Sequence, residues 1–192
     1  MEIIENELGK KLEERIEALI DRKVEEALRK KFQDRKGAVP RLAIVVSKGT
    51  LEAAYPPLIL ATTAIALGME AALFFTFFGL HILKKGSAES LRFVPLGNPA
   101  TPMPMPNILS VLPGMTALAT FMMKKTIQEK QIASIPELFT IAKESGVKLW
   151  PCQMTMDMMG IERSELIDGL DEPVGAATFL SYAADASISL FV

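Results

Sequence analysis

The chain has 192 residues, 49% of them hydrophobic, enough for one domain of ordinary size with a proper core plus an appendage. Its 21 basic and 23 acidic residues leave a net charge of −2 without a long block of either sign, so nothing in the charge calls for nucleic acid. A single cysteine cannot close an internal disulfide, and the N-terminus, MEIIENELGKKLEER, is acidic and mixed where a secretory signal is basic and then apolar; both point to a cytoplasmic protein.

Residues 1–36 hold 10 basic and 10 acidic residues and no proline. Apolar side chains recur at Ile4, Leu8, Leu12, Ile16, Ile20, Val24, Leu28 and Phe32, with Leu19 beside them. Steps of four drift by about 40° each against the helical repeat, so the stripe winds around the helix and is not a strict heptad seam. The pattern predicts a long amphipathic helix that packs on a neighbouring subunit or back across its own domain, since such a stripe is not buried by the helix alone.

The globular part opens at GAVP and occupies residues 40–192. RLAIVVSKG, residues 41–49, is a β-branched run that reads as a buried first strand. TLEAAYPPLILATTAIALG follows with a helical pattern, in which Pro56 and Pro57 mark an internal break or a fresh start. MEAALFFTFFGLHI predicts a second strand ending near Gly79. Residues 56–83 are apolar for more than the roughly 20 residues that span a bilayer. Gly68 and Glu70 divide this run into a helix-like half and a strand-like half, and a helix leading into a central strand of a parallel sheet gives the same run.

Residues 86–107 contain five prolines and form an irregular excursion or lid. Two helices follow: ILSVLPGMTALATFMMKKTIQEKQ, interrupted near Pro113 and Gly114, and SIPELFTIAKESG, with Ser134 as N-cap, Pro136 in the first turn and Gly146 at the C-cap. VKLWPC is the third strand. MTMDMMG, ERSELIDG and VGAATFLSYAADA predict short or medium helices, and SISLFV a final strand. The alternation is that of an α/β domain with a small, mostly parallel sheet of four or five strands flanked by helices.

In an open parallel sheet the loops after the carboxyl ends of the strands share one edge, where ligands bind. That edge collects Ser47, Lys48 and Gly49 after the first strand, Gly79 and His81 after the second, and Cys152 after the third. Cys152 also precedes a short helix starting near Met154, whose N-terminal N–H groups and dipole favour a thiolate, with Lys48 or His81 helping if within reach. A small, buried and inert core cysteine is the alternative. The only histidine and the only cysteine lie 71 positions apart, which leaves no zinc-type cluster, and neither a phosphate loop nor a dinucleotide fingerprint is present, so no metal or cofactor is expected.

The stretches VVSKGTLEAAYPPLILATTAIALGMEAALFFTFFGL, LPGMTALATFMMKK and GVKLWPCQMTMDMMGI resemble the DsrE/DsrF/DsrH-like family of sulfur-relay proteins, across about residues 40–192. The resemblance implies a small parallel-type α/β domain that assembles into homo-oligomers. It also implies that Cys152 carries sulfane sulfur as a persulfide, received from a rhodanese-like or TusA-like donor and passed on. Under that reading Ser47, Lys48, Gly49 and the backbone near Gln153 and Met154 stabilise the anion, with His81 a further neighbour on the same edge. Relay between two thiols of one subunit is excluded by the lone cysteine. The competing class is an oligomeric binding or scaffold protein in which Cys152 only packs.

Overall fold

A computed structural model describes residues 39–93 and 114–192, together with positions 15, 16, 19, 22 and 23. The chain divides into two compact units, Met1–Val39 and Pro40–Val192. In the first, the described positions Arg15, Ile16, Leu19, Arg22 and Lys23 are helical, and the rest of the predicted stripe lies outside the described residues. Of the predicted excursion at 86–107, only residues 86–93 are described, as turns followed by irregular chain.

The second unit is an α/β domain. Its strands are β1 (Arg41–Val46), β2 (Glu70–Phe75), β3 (Lys148–Pro151) and β4 (Ile188–Phe191), all parallel in the order β3-β2-β1-β4. Its helices are α1 (Leu51–Ala66), α2 (Met115–Glu129), α3 (Ile135–Glu144), α4 (Gln153–Met159) and α5 (Ala176–Ala184). Because side chains alternate along a strand, the register sorts the sheet into two faces. Leu42, Ile44 and Val46 stand beside Ala71, Leu73 and Phe75 on one face, where they pack with Leu58 and Ala61 of α1 and Leu138 and Phe139 of α3. Ala43, Ala72 and Phe74 lie on the other, under Phe179 and Tyr182 of α5. The Phe74 and Phe179 rings stack at 4.8 Å. With both faces covered, β1 and β2 read as apolar runs after their first residues, Arg41 and Glu70, which pair with each other at 2.9 Å.

Several local expectations hold. Ser134 caps α3 with a full capping box: the Glu137 N–H donates to the Ser134 hydroxyl, and the Ser134 N–H donates to the Glu137 carboxylate at 2.7 Å. These bonds hold the Glu137 carboxyl below its ordinary value of about 4.5. A folded-state pKa that is lowered adds stability above the unfolded value and loses it as pH falls through the folded one. Wild type is therefore expected to melt above Glu137→Gln at neutral pH, with the two curves converging as pH falls through the lowered pKa of the carboxyl; paired thermal melts across pH check this.

Elsewhere the structure corrects the expectation. Strand β2 stops at Phe75, four residues before Gly79, and FFGLHIL (Phe77–Leu83) is a 3-10 helix. The reason is a close approach: Gly79 lies against the carbonyl of Val46, where a β-carbon would come within 2.1 Å of the oxygen, so the chain turns across the end of β1 and cannot continue along it. Helix α1 runs through Pro56 and Pro57 without a break. The two rings remove only the bonds to the carbonyls of Glu52 and Ala53, in the first turn. ERSELIDG is helical only as a 3-10 turn at Arg163–Glu165, because Leu166 leaves to bridge Lys84 and the Arg163 guanidinium binds the carbonyls of Ile167 and Leu170. Among the described residues no helix is long and apolar enough to cross a membrane.

Candidate functional site

The carboxyl ends of the strands meet along one edge, and the residues there form two groups. The first surrounds the end of β1. The Gly79 N–H donates to the Ser47 carbonyl at 3.0 Å, and the Thr76 N–H donates to the Val46 carbonyl at 3.0 Å. Gly49 abuts the Phe78 carbonyl and lies beside the β-carbon of His81. Ser47 is committed to the neighbouring strand: its N–H and its hydroxyl both donate to the Val192 carbonyl, at 2.8 and 2.9 Å. Lys48 and His81 are exposed, and the imidazole stacks on Phe78 at 6.5 Å.

The second group surrounds Cys152. Its N–H donates to the Phe75 carbonyl at 2.9 Å, and its own carbonyl accepts the Met156 N–H at 3.0 Å, so the residue links β2 to the first turn of α4. Cys152 carries a free thiol, is 6% exposed as a residue and belongs to the apolar cluster of Ala43, Ala72, Phe74, Phe179 and Tyr182. Gln153 and Met154 follow on α4, both exposed; the Gln153 amide donates to the Asp157 carboxylate at 2.8 Å.

The structure thus brings Ser47, Lys48, Gly49 and His81 together and places Cys152, Gln153 and Met154 beside them. Since β2 lies between β1 and β3, the loop after β1 starts roughly 10 Å to the side of Cys152. Among the described residues no hydrogen bond or ion pair joins Lys48 or His81 to Cys152 or its neighbours on α4.

Three residues that sequence reasoning passed over complete the surroundings of Cys152. Thr155, 3% exposed, faces the end of β2, where its hydroxyl accepts the Phe77 N–H at 3.1 Å and is hydrogen-bonded to the Thr76 hydroxyl at 3.0 Å. Phe77 has φ +48, a strained value for a bulky residue, so this bond helps to hold it. Asp171 and Val174 run along the outer edge of β3: the Leu149 N–H donates to the Asp171 carboxylate at 2.6 Å, and Val174 bridges Cys152. A partner more than 15 positions away leaves no mark in local spacing, so only the unexplained polarity of Thr155 within MTMDMM was a signal.

Thr155→Val keeps the shape and removes the hydroxyl, leaving the Phe77 N–H without its acceptor. The expected loss is about 1–3 kcal/mol, with Thr155→Ser close to wild type; urea denaturation of the three proteins decides it, and an unchanged midpoint for the valine variant would refute the role.

The profile of the DsrE/DsrF/DrsH-like family matches residues 38–191. Over 158 residues, 79% of this chain and 98% of the relative, the sequence is 46% identical to a protein named Sulfur carrier protein DsrE2 from Allochromatium vinosum. It is 31% identical over 162 residues, 79% of this chain and 96% of the relative, to an uncharacterized protein, YrkE, from Bacillus subtilis. Among solved structures the ychN protein from E. coli is similar with a TM-score of 0.48 and 16% identity, covering 80% of this chain and 100% of that one. The family match runs from just before β1 to the last residue of β4 and takes in the cysteine-bearing edge, so the chain belongs to the DsrE/DsrF/DrsH-like family.

Proposed function

We propose that this protein is a sulfur carrier that holds sulfane sulfur as a persulfide on Cys152 and passes it between partner proteins in the cytoplasm. The observation that carries the reading is the position of the only cysteine, at the carboxyl end of β3 in a chain 46% identical over nearly the whole of a relative named as a sulfur carrier.

The chemistry needs no oxidant or reductant. The Cys152 thiolate attacks the outer sulfur of a donor persulfide; a new S–S bond forms, the donor's S–S bond breaks, and the donor leaves as a thiolate with the electron pair. An acceptor thiolate then removes the outer sulfur in the same way. The apolar cluster around Cys152 supports the storage step, because it shelters a persulfide from small thiols. The starts of α4 and α5 both lie beside the Cys152–Val174 bridge, and the positive ends of helices favour an anionic sulfur species.

Met154, with Phe77 and Phe78 exposed on the same edge, forms the surface offered to a rhodanese-like or TusA-like partner, and Lys48 and His81 border it. Ser47 and Gly49 act at one remove, by fixing the end of β1 on which that surface rests. A homo-oligomer fits the outer edge strand β4, where Ile188, Leu190 and Phe191 are all exposed.

Incubation with polysulfide, followed by intact mass measurement without reductant, tests the reading. The expected result is a gain of whole sulfur atoms that maps to the peptide containing Cys152 and is reversed by a thiol. A protein that gains no sulfur, from polysulfide or from a sulfur-loaded carrier protein, would favour a scaffold whose cysteine only packs, consistent with the burial of the thiol.

A further inference from the structure

A thiol in the interior is a poor partner for another protein. Attack on a sulfane sulfur requires a second sulfur to approach along the S–S axis, yet Cys152 is 6% exposed. Something beside it has to move, and the elements around it differ greatly in how firmly they are held.

On two sides the surroundings are fixed. The side toward β2 is held by the β2–β3 pairing and by the Thr155 contacts, and the cluster is covered by α5, whose Phe179 stacks on Phe74. The outer edge of β3 is different, because no fifth strand pairs there among the described residues. In place of a strand runs the segment DEPVG, residues 171–175.

This segment is anchored at both ends and lightly attached between them. Before it, Leu170 is buried and its carbonyl accepts from the Arg163 guanidinium at 3.0 Å. After it, α5 begins at Ala176. Between these anchors Asp171, Glu172 and Gly175 are exposed, and Pro173 has no N–H to give. Three hydrogen bonds join the segment to the strand edge and the start of α4: Val174 N–H to the Pro151 carbonyl at 2.9 Å, Gln153 N–H to the Val174 carbonyl at 3.0 Å, and Leu149 N–H to the Asp171 carboxylate at 2.6 Å. Val174 also packs against the cluster that contains Cys152. A segment with few buried contacts and exposed residues on either side of its one bridge belongs to the part of a fold that opens locally at low cost.

We infer that residues 171–175 form a strap over Cys152, that the Asp171 carboxylate is its latch, and that release of the strap sets the rate at which partners reach the sulfur. Asp171 is then a positioning residue that acts through Val174. A side chain serves here because it reaches the Leu149 N–H where no strand lies alongside to offer a carbonyl, and a side-chain bond is lost without disturbing the strands. The identification of Cys152 as the reacting sulfur rests on the sulfur-carrier reading, but the motion of the strap does not.

The test uses the full chain and simple alkylation, so it does not depend on sulfur loading. The rate of Cys152 modification by iodoacetamide under native conditions is measured for wild type, Asp171→Ala, Asp171→Asn and the control Glu172→Ala, with urea midpoints and amide exchange at Leu149 and Gln153 alongside. Loss of one charge-assisted hydrogen bond is expected to raise the rate roughly five- to tenfold in Asp171→Ala. Asp171→Asn, which keeps an acceptor, falls between that variant and wild type, and Glu172→Ala does not change. Leu149 and Gln153 exchange faster in Asp171→Ala while the core amide of Ile44 keeps its protection. Equal alkylation rates in wild type and Asp171→Ala would overturn the inference, and so would a rise that simply follows a lowered urea midpoint.

Discussion

Cys152→Ala is expected to abolish the thiol-reversible gain of sulfur while leaving the fold in place. The two main-chain bonds that make Cys152 a junction, to the Phe75 carbonyl and from the Met156 N–H, do not involve its side chain, and alanine supplies both equally well. What is lost is one sulfur atom from an apolar cluster, on the order of 1 kcal/mol of burial. Serine is the poorer control, because it puts a hydroxyl among Phe74, Phe179 and Ala72, and an unpaired buried hydroxyl costs about 1–3 kcal/mol. Intact mass after polysulfide treatment, read beside a circular dichroism melt, separates chemistry from folding. A sulfur gain that persists in Cys152→Ala would place the bound sulfur elsewhere and remove the central residue from the mechanism. A wild type that never loads would leave the cysteine as packing, and the variant would then differ from it in nothing but a slightly lower melting temperature.

The position of Cys152 was legible in the sequence because it depends on local signals. VKLWPC is short, ends in a proline and a cysteine and is followed by a helical run that closes on Gly160, which adopts φ +62 at the end of α4. The same holds for α3, where serine, proline and glutamate stand at the spacing of a capped helix start. These features need only neighbours within a turn.

Features created by distant partners were not legible. The run FFTFFGLHI is mostly apolar, and the same residue type, phenylalanine, occupies both the buried strand positions 74 and 75 and the exposed positions 77 and 78. The boundary is set by Gly79 meeting β1, over 30 positions earlier in the chain. Likewise ERSELIDG has the composition of a helix, but Leu166 gains more by burying itself completely beside Lys84 than by continuing one. The topology rule correctly sends Lys48, His81 and Cys152 to one edge, yet an edge has length, and a rule about sides is silent on the spacing of the strands along it.

Gly79→Ala is the fold-level counterpart of the cysteine variant, and its expected effect on stability is the largest of any single methyl added to this edge. A β-carbon at residue 79 would lie 2.1 Å from the Val46 carbonyl oxygen and 2.7 Å from its carbon, both main-chain atoms of the strand end, with no flexible side chain to yield. Relief requires the 3-10 segment to move away from β1. That motion strains the Thr76 N–H bond to Val46 and the Gly79 N–H bond to Ser47, and it pulls on Phe77, already at a strained φ. Overpacking and two weakened hydrogen bonds together are expected to cost about 3 kcal/mol or more, a fall in Tm of about 6–12 °C for a chain of this size. Gly86→Ala serves as the comparison: its φ of +73 also disfavours a side chain, but no atom lies within 4 Å, so only the left-handed backbone penalty of about 1–2 kcal/mol remains. If the two variants melt together, the close approach of Gly79 to β1 does not determine where β2 ends. If Gly79→Ala melts well below Gly86→Ala, the close approach to β1 holds the 3-10 segment at the end of β2, next to the Phe75 carbonyl that accepts the Cys152 N–H.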